Sequence, residues 1–191
     1  RLSVALDVLA DTHLEEFPDI FCSSLIDNCI KSGKTAKEGG AKYDIIAGLQ
    51  VGLANAANSL YALKRVVFEE KILTKEQVFE ALKTNFSGVE GERVRNILLN
   101  VPKYGNDIDE IDKFAVETYN PYISEIAKYK NTRHGRGPIN GGYGLSTSGI
   151  SSNVPMGTVT GATPDGRYEY TPAAEGASPT QGTDVKGPTA V

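Results

Sequence analysis

Ser32-Gly33-Lys34-Thr35 repeats the last four positions of a phosphate-binding loop, in which backbone N–H groups and a lysine cradle a nucleotide's phosphates. That loop also needs glycine at position 28 and a strand before it. Here residue 28 is Asn28, and Phe21 to Lys31 reads as a helix, so a helix ending on a Gly33 C-cap accounts for the same residues. Gly135-Arg136-Gly137-Pro138 and Gly141-Gly142-Tyr143-Gly144 are rich enough in glycine to wrap a phosphate, but no strand–turn–helix pattern surrounds them.

Asn106, Asp107, Asp109, Glu110 and Asp112 crowd carboxylates as a calcium loop does. The central glycine and distal glutamate of an EF-hand are missing, and a negatively charged helix N-terminus explains the cluster without a metal. Cys22 and Cys29 lie seven apart and could share a helix face; neither has a histidine within metal-ligand spacing, and His13 and His134 are far from each other, so small buried hydrophobes describe the cysteines better than metal ligands. No serine or cysteine sits in a nucleophile elbow. Residue by residue, the chain shows no self-sufficient catalytic constellation and no metal site.

Composition narrows the class. A hydrophobic fraction of 40% with 23% charged residues is that of a globular protein, and a net charge of −4 gives no attraction for nucleic acid or an anionic membrane. No apolar run approaches the ~20 residues of a membrane span. Two cysteines cannot build a disulfide framework, so a reducing cytoplasm is the expected location. Met156 is the one methionine, and without an initiator the chain is expected to be part of a longer polypeptide.

The elements fall into two parts: a helical stretch over 1–132 and a Gly/Pro-rich stretch over 133–191. The latter holds twelve of 20 glycines and six of nine prolines. Lys42 to Ala47 reads as a short strand. Leu49, Leu53, Ala56, Leu60, Leu63 and Val67 then alternate by four and three along one helix face. Gly52, Ala54, Asn55, Ala57 and Asn58 are small enough for that helix to be buried on more than one side. Thr74 with Gln77 forms a capping box, followed by Val78, Leu82 and Phe86. A shorter helix over 91–100 precedes another from about Asp107 to Lys130, with Pro121 as a kink or break. The last stretch, Glu175 to Val191, has little apolar surface to bury and is expected to be poorly ordered in isolation.

Gly161-Ala162-Thr163-Pro164-Asp165-Gly166-Arg167, Pro172, Ala174-Glu175-Gly176, Ser178-Pro179 and Gly187-Pro188-Thr189-Ala190 together resemble the C-terminal region of glycyl radical enzymes. The branch is that of glycerol dehydratase and other pyruvate formate-lyase-like proteins. Asp27-Asn28-Cys29-Ile30, Gly39-Gly40-Ala41-Lys42-Tyr43, Gln50-Val51-Gly52-Leu53-Ala54-Asn55 with Ser59-Leu60, and Pro102-Lys103-Tyr104-Gly105-Asn106-Asp107 agree in the same order. The similarity covers nearly the whole chain from Phe17 onward.

The resemblance implies an α/β fold, part of a ten-stranded barrel, with this chain supplying helix-rich second-half strands and their surrounding helices. Residues 133–191 would carry a barrel strand and loops, the start of the region that ends in the radical glycine. It also implies an anaerobic lyase or dehydratase, under the family's pyruvate formate-lyase or formate acetyltransferase heading, that cleaves C–O, C–N or C–C bonds of a small molecule by thiyl-radical hydrogen abstraction. The implied cofactor is a glycyl radical, installed by a radical-SAM activating enzyme in an intact protein that is usually a homodimer.

The family's Gly-Cys-x-Glu and Arg-Val-x-Gly-Tyr motifs do not occur in this sequence. The resemblance therefore places the thiyl cysteine before Arg1 and the radical glycine after Val191, names no catalytic residue in this chain, and implies that the chain alone is inactive. Thr147 to Pro155 aligns with a substrate-facing strand of the family. Strand alternation then sets Ser148 and Ile150 toward the pocket, unless the strand shapes the core without touching substrate. Asp165, Gly166 and Arg167 read as a structural loop: a turn whose arginine bridges to a carboxylate or to loop carbonyls at the barrel mouth. A non-catalytic scaffold or binding module of the same fold is the alternative.

Overall fold

Periodicity of 3.6 residues dominates the sequence, and the fold is correspondingly rich in helix. The computed structural model describes residues 19–43, 46–126, 128, 143–147 and 150–191, with the side chains of 46–49, 126, 143–147, 150 and 151 outside that description. By contact density the chain forms two units, residues 1–48 with 125–145, and residues 49–124 with 146–191. Among the described residues no helix is long and apolar enough to cross a membrane.

In the first unit, α1 (Ile20–Ser24) starts on Asp19, whose carboxylate accepts the Cys22 N–H at 3.3 Å. α2 (Cys29–Ser32) ends on Gly33 in the left-handed conformation, the C-cap that the sequence predicts. The single helix expected over Phe21 to Lys31 is broken between them. Asn28 adopts φ 77°, and its side-chain amide donates to the Gly40 carbonyl at 2.9 Å. Asparagine tolerates that backbone better than most residues, and the long-range bond rewards it. One consequence is that only Cys29 is buried; Cys22, expected to be buried with it, is exposed.

The strand expected over Lys42 to Ala47 is shifted: Lys42 and Tyr43 lie in a bend, and β1 is Ile46–Gln50. It pairs with β2 (Tyr143–Thr147) in a two-stranded sheet. Leu49, placed by periodicity at the start of a helix, belongs to β1.

In the second unit, α3 (Leu53–Leu63) runs directly into a π-helical segment, Lys64–Glu69. Ala54, Ala57, Asn58, Tyr61 and Ala62 are almost fully covered, whereas Leu60 is exposed. Burial on several sides is as the small residues predict, but the buried face follows the leucine stripe only in part. α4 (Lys75–Lys83) carries the complete capping box: Thr74 Oγ1 accepts the Gln77 N–H at 3.2 Å, and Gln77 Oε1 accepts the Thr74 N–H at 2.9 Å. α5 is Gly88–Asn100, and α6 (Asp109–Ile126) passes through Pro121 without ending there. Pro121 lacks one N–H to donate, but it is exposed and flanked by helical turns on both sides. Asp109, Glu110 and Asp112 sit in the first turn of α6, where the helix dipole favours negative charge. Glu110 also accepts from Lys64 Nζ at 2.5 Å and from the Tyr61 hydroxyl at 3.0 Å.

Tyr61, Val66, Val78, Ala81, Phe86, Val94, Leu98 and Ile111 are the centre of the core that these helices share. Phe86 and Tyr168 meet edge to face with ring centroids 6.0 Å apart, tying the 160s to α4 and α5.

The strand expected across Thr147 to Pro155 is replaced by β2 ending at Thr147 and α7 (Ile150–Thr158), which contains Pro155. Ser, Asn, Val and Pro read locally as extended chain, but tertiary packing decides otherwise. Gly157 of α7 lies so close to the Thr171–Pro172 backbone that any Cβ would collide with it, and the Ala173 N–H donates to Asn153 O at 3.1 Å.

Glu175 to Val191, expected to lack order in isolation, follows a defined path held by polar anchors rather than apolar burial. Asn106 donates to Thr183 O at 2.8 Å and accepts the Val185 N–H at 2.9 Å. Asn58 donates to Thr180 Oγ1 at 3.2 Å, and the Asp107 N–H donates to Ala190 O at 3.1 Å.

Replacing Thr74 with alanine removes half of the capping box and is expected to lower stability by about 1 kcal/mol, read as a shift in the urea midpoint at unchanged slope. An unshifted midpoint would show that the cap contributes nothing to the fold.

Candidate functional site

Polar residues inside a helix of alanines need a reason to be buried, and Asn55 in α3 has one. Its Oδ1 accepts the Ala174 N–H at 2.6 Å, and its Nδ2 donates to Asp165 Oδ2 at 2.6 Å. Nearby the Gly52 N–H donates to Ala174 O at 3.0 Å, so the start of α3 and residue 174 are joined through both peptide and amide.

Asp165 belongs to the tight turn that Pro164-Asp165-Gly166 predicts. The Gly166 N–H donates to Thr163 O at 3.0 Å, and the Thr163 N–H to Arg167 O at 3.0 Å. The second carboxylate oxygen of Asp165 accepts the Thr163 hydroxyl at 2.6 Å and the Arg167 N–H at 3.4 Å. Gly166 has φ 93°, and a Cβ there would stand 2.7 Å from Leu99 Cδ2, so both backbone and space require glycine.

Arg167 takes the second of its two expected partners: loop oxygens rather than a carboxylate side chain. Nε donates to Thr163 Oγ1 at 3.2 Å, Nη1 to Thr171 O at 2.6 Å, and Nη2 to Thr160 O at 3.2 Å and to Gly161 O. Its burial lowers the guanidinium pKa from the ordinary value, with the Asp165 charge opposing. Arginine stays charged regardless, so the fork remains a set of fixed donors.

Lys103 is a further buried cation in this unit that motif reading did not single out. It is 8% exposed, its Nζ donates to Leu98 O at 2.6 Å, and burial lowers its pKa to about 8 although the Asp165 charge raises it. The signal was present in Pro102-Lys103-Tyr104, but a lone lysine gives no hint of burial in sequence.

These elements frame a cleft of about 380 Å3 lined by Gly52, Asn55, Ser59, Met156, Thr163 and Arg167, among others. Its walls come from α3, α7 and the 160s turn. Asp165, Gly166 and Arg167, expected as a structural loop, are thus brought together beside it. Ser148 lies outside the described residues. Ile150 opens α7 rather than alternating along a strand, and its side chain is likewise outside the description. Asn55, Ser59 and Lys103 join the cluster only through tertiary structure. Among the described residues no group of three metal-ligating side chains converges. The arrangement can hold loops rigidly and recognise backbone or hydroxyl groups; it contains no nucleophile–base pair.

Two outcomes test this geometry. Arg167→Lys keeps the charge but loses the fork that spans Thr160, Gly161, Thr163 and Thr171, and is expected to cost about 2–3 kcal/mol in urea unfolding. A wild-type midpoint would show the fork to be dispensable. For Lys103 the folded pKa lies below the unfolded one, so the folded state binds fewer protons between pH 8 and 10.5. Stability should therefore rise with pH across that window, and Lys103→Met should flatten this part of the profile.

The chain was compared with known proteins. Residues 2–157 match the family model described as pyruvate formate lyase-like. A probable dehydratase of Escherichia coli, YbiW, is 51% identical over 193 aligned residues, covering all of this chain and 24% of the relative. The chain thus spans about a quarter of that relative's length. A solved structure concerned with 1,2-propanediol dehydration in Roseburia inulinivorans matches with a TM-score of 0.79 and 42% identity, over 95% of this chain and 23% of the other. A glycyl radical enzyme from Archaeoglobus fulgidus matches with a TM-score of 0.78 and 32% identity, over 96% and 22%. Motif order, helix-rich fold and these similarities converge: the chain belongs to the pyruvate formate lyase-like family of glycyl radical enzymes.

Proposed function

We propose that this chain forms part of the barrel wall of a longer anaerobic glycyl radical dehydratase or lyase acting on a small molecule. The observation that carries the reading is 51% identity to a probable dehydratase over the entire chain, joined by the structural match to propanediol dehydration. In this reading residues 1–132 are the helical part, with the short barrel strand, and residues 133–191 lead from a barrel strand into the region of the radical glycine.

A glycyl radical in the longer protein supplies hydrogen-atom abstraction through a cysteine thiyl. Neither the Gly-Cys-x-Glu nor the Arg-Val-x-Gly-Tyr motif is in this sequence, so no abstraction step falls to these residues. Their work is enclosure. Radicals survive only where water, oxygen and stray hydrogen donors are excluded, and a rigid wall does that. Asp165, Gly166 and Arg167 hold the 160–171 loop at the barrel mouth, through the carbonyl bonds described above. Ser148 and Ile150 line the substrate pocket, a small hydroxyl and an aliphatic surface suited to a modest polar substrate. A radical-SAM activating enzyme installs the radical, the longer protein is a homodimer in the cytoplasm, and the 191 residues alone turn nothing over.

Anaerobic activation of the longer polypeptide should produce the electron paramagnetic resonance doublet of a glycyl radical, followed by dehydration of a small diol or hydroxylated substrate. Ser148→Leu should then raise KM or abolish turnover while leaving the doublet intact. Absence of both the doublet and the two motifs from the longer polypeptide would leave a non-catalytic scaffold of the same fold.

A further inference from the structure

Buried charge in the second unit does not balance. Among the described residues, Lys103, Asp165 and Arg167 are the buried charged side chains, at 8%, 4% and 9% exposure. The Asp165 carboxylate acts on both cations, opposing in each case the burial that lowers the pKa. Lys103, at about 8, is still mainly protonated at pH 7. Two cations thus share one carboxylate, whose oxygens already accept from the Asn55 amide, the Thr163 hydroxyl and the Arg167 backbone N–H. Buried charges need compensation, so the arrangement is short of one negative charge.

The cleft of about 380 Å3 is lined by one of those cations, Arg167. Four of its guanidinium N–H groups go to Thr163 Oγ1 and to the carbonyls of Thr160, Gly161 and Thr171. A guanidinium has five, so one on Nη1 is left. Ser59, also 8% exposed, lines the same cleft, and its Oγ is buried without a hydrogen-bond partner. A buried hydroxyl in that condition calls for a partner. The other polar lining groups are spent: Asn55 on Ala174 and Asp165, the Thr160 hydroxyl on Met156 O, and the Thr163 hydroxyl on Asp165. Around the two remaining donors the walls are apolar, with Val51, Ala56, Ala173 and Met156. A few polar groups in an apolar cleft of this size are the make-up of a small-molecule site.

We infer that this cleft binds a small organic monoanion, a short-chain carboxylate, whose oxygens take the Arg167 and Ser59 donors while its hydrocarbon part rests on Ala56, Ala173 and Met156. A single carboxylate supplies the one negative charge that the buried groups lack, and a charge-assisted bond to the guanidinium is among the stronger ones a protein can offer. The inference rests on the reading of the chain as part of a longer polypeptide only in requiring that the remainder leave the cleft open. It does not need the radical.

Propionate is the probe, titrated into the longer polypeptide at constant ionic strength and followed by saturation-transfer NMR. It should bind saturably with a Kd on the order of 1 mM. Propionamide has nearly the same shape and no charge, and should bind about tenfold more weakly. Ser59→Ala removes only a hydroxyl that has no partner, so the urea midpoint should stay in place while propionate binding weakens about tenfold. The propionamide comparison uses the unaltered polypeptide and stands whatever the variant does. Equal binding of propionate and propionamide would overturn the inference. So would unchanged propionate binding in a folded Ser59→Ala, or no saturable binding at all, the result expected if the remaining polypeptide fills the cleft with a carboxylate of its own. Propionate binding without a radical doublet would overturn the enzymatic reading and leave this one standing; a doublet without propionate binding would do the reverse.

Discussion

The side-chain amide of Asn55 is the constraint on which the second unit depends. A residue on α3 holds Asp165 with its nitrogen and the Ala174 backbone with its oxygen, both at 2.6 Å, across more than a hundred positions of sequence. Neither partner belongs to a helix or strand. Without the amide, Asp165 would keep a buried carboxylate oxygen without a donor, and residue 174 an N–H without an acceptor. Buried groups left in that condition are costly, so the amide does more than add two bonds: it makes the loop's burial tolerable.

Around that contact the loop is stiffened by a division of labour between charge and shape. Asp165 organises the turn from within, through the Thr163 hydroxyl, while Arg167 gathers the oxygens of Thr160, Gly161, Thr163 and Thr171. Gly157 and Gly166 permit the approach of backbone to backbone and of backbone to Leu99 that brings these groups into range. The same logic extends to the chain's end. Asn58 and Asn106 supply the bonds that an apolar-poor segment cannot obtain by burial. Asn55 and Asn58 on α3, with Asn106 in the loop before α6, thus fasten two long irregular stretches to the rest of the second unit.

Helix existence was legible where the pattern was local and complete. The Thr74–Gln77 box, the Gly33 cap and the acidic first turn of α6 each involve residues within four positions, and each appears as local chemistry predicts. The Pro164-Asp165-Gly166 turn was legible for the same reason. What failed had a partner far away. The break at Asn28 depends on Gly40, the helix through Pro155 depends on the backbone at 171–173, and the order of the last residues depends on Asn58 and Asn106. The leucine stripe of α3 located its buried face only in part: Leu53 is buried and Leu63 and Val67 pack against the core, but Leu60 is exposed and alanines and asparagines make the closest contacts.

The sequence by itself determined the family, because short motifs in fixed order carry that information without any geometry, and it determined that neither radical-bearing motif lies within these 191 residues. It determined the turn at Asp165 and Gly166, whose conformation is set by its own few residues. Only the tertiary structure decided that Arg167 binds carbonyls rather than a carboxylate, that Lys103 is buried, and that Ser59 faces a cleft with its hydroxyl unpartnered. The reason is physical. A side chain's partner and its exposure are properties of what folds around it: the acceptors of Arg167 and Lys103 lie within a few residues of them, yet which oxygens they meet, and how deeply Lys103 and Ser59 are covered, is set only once the chain has folded.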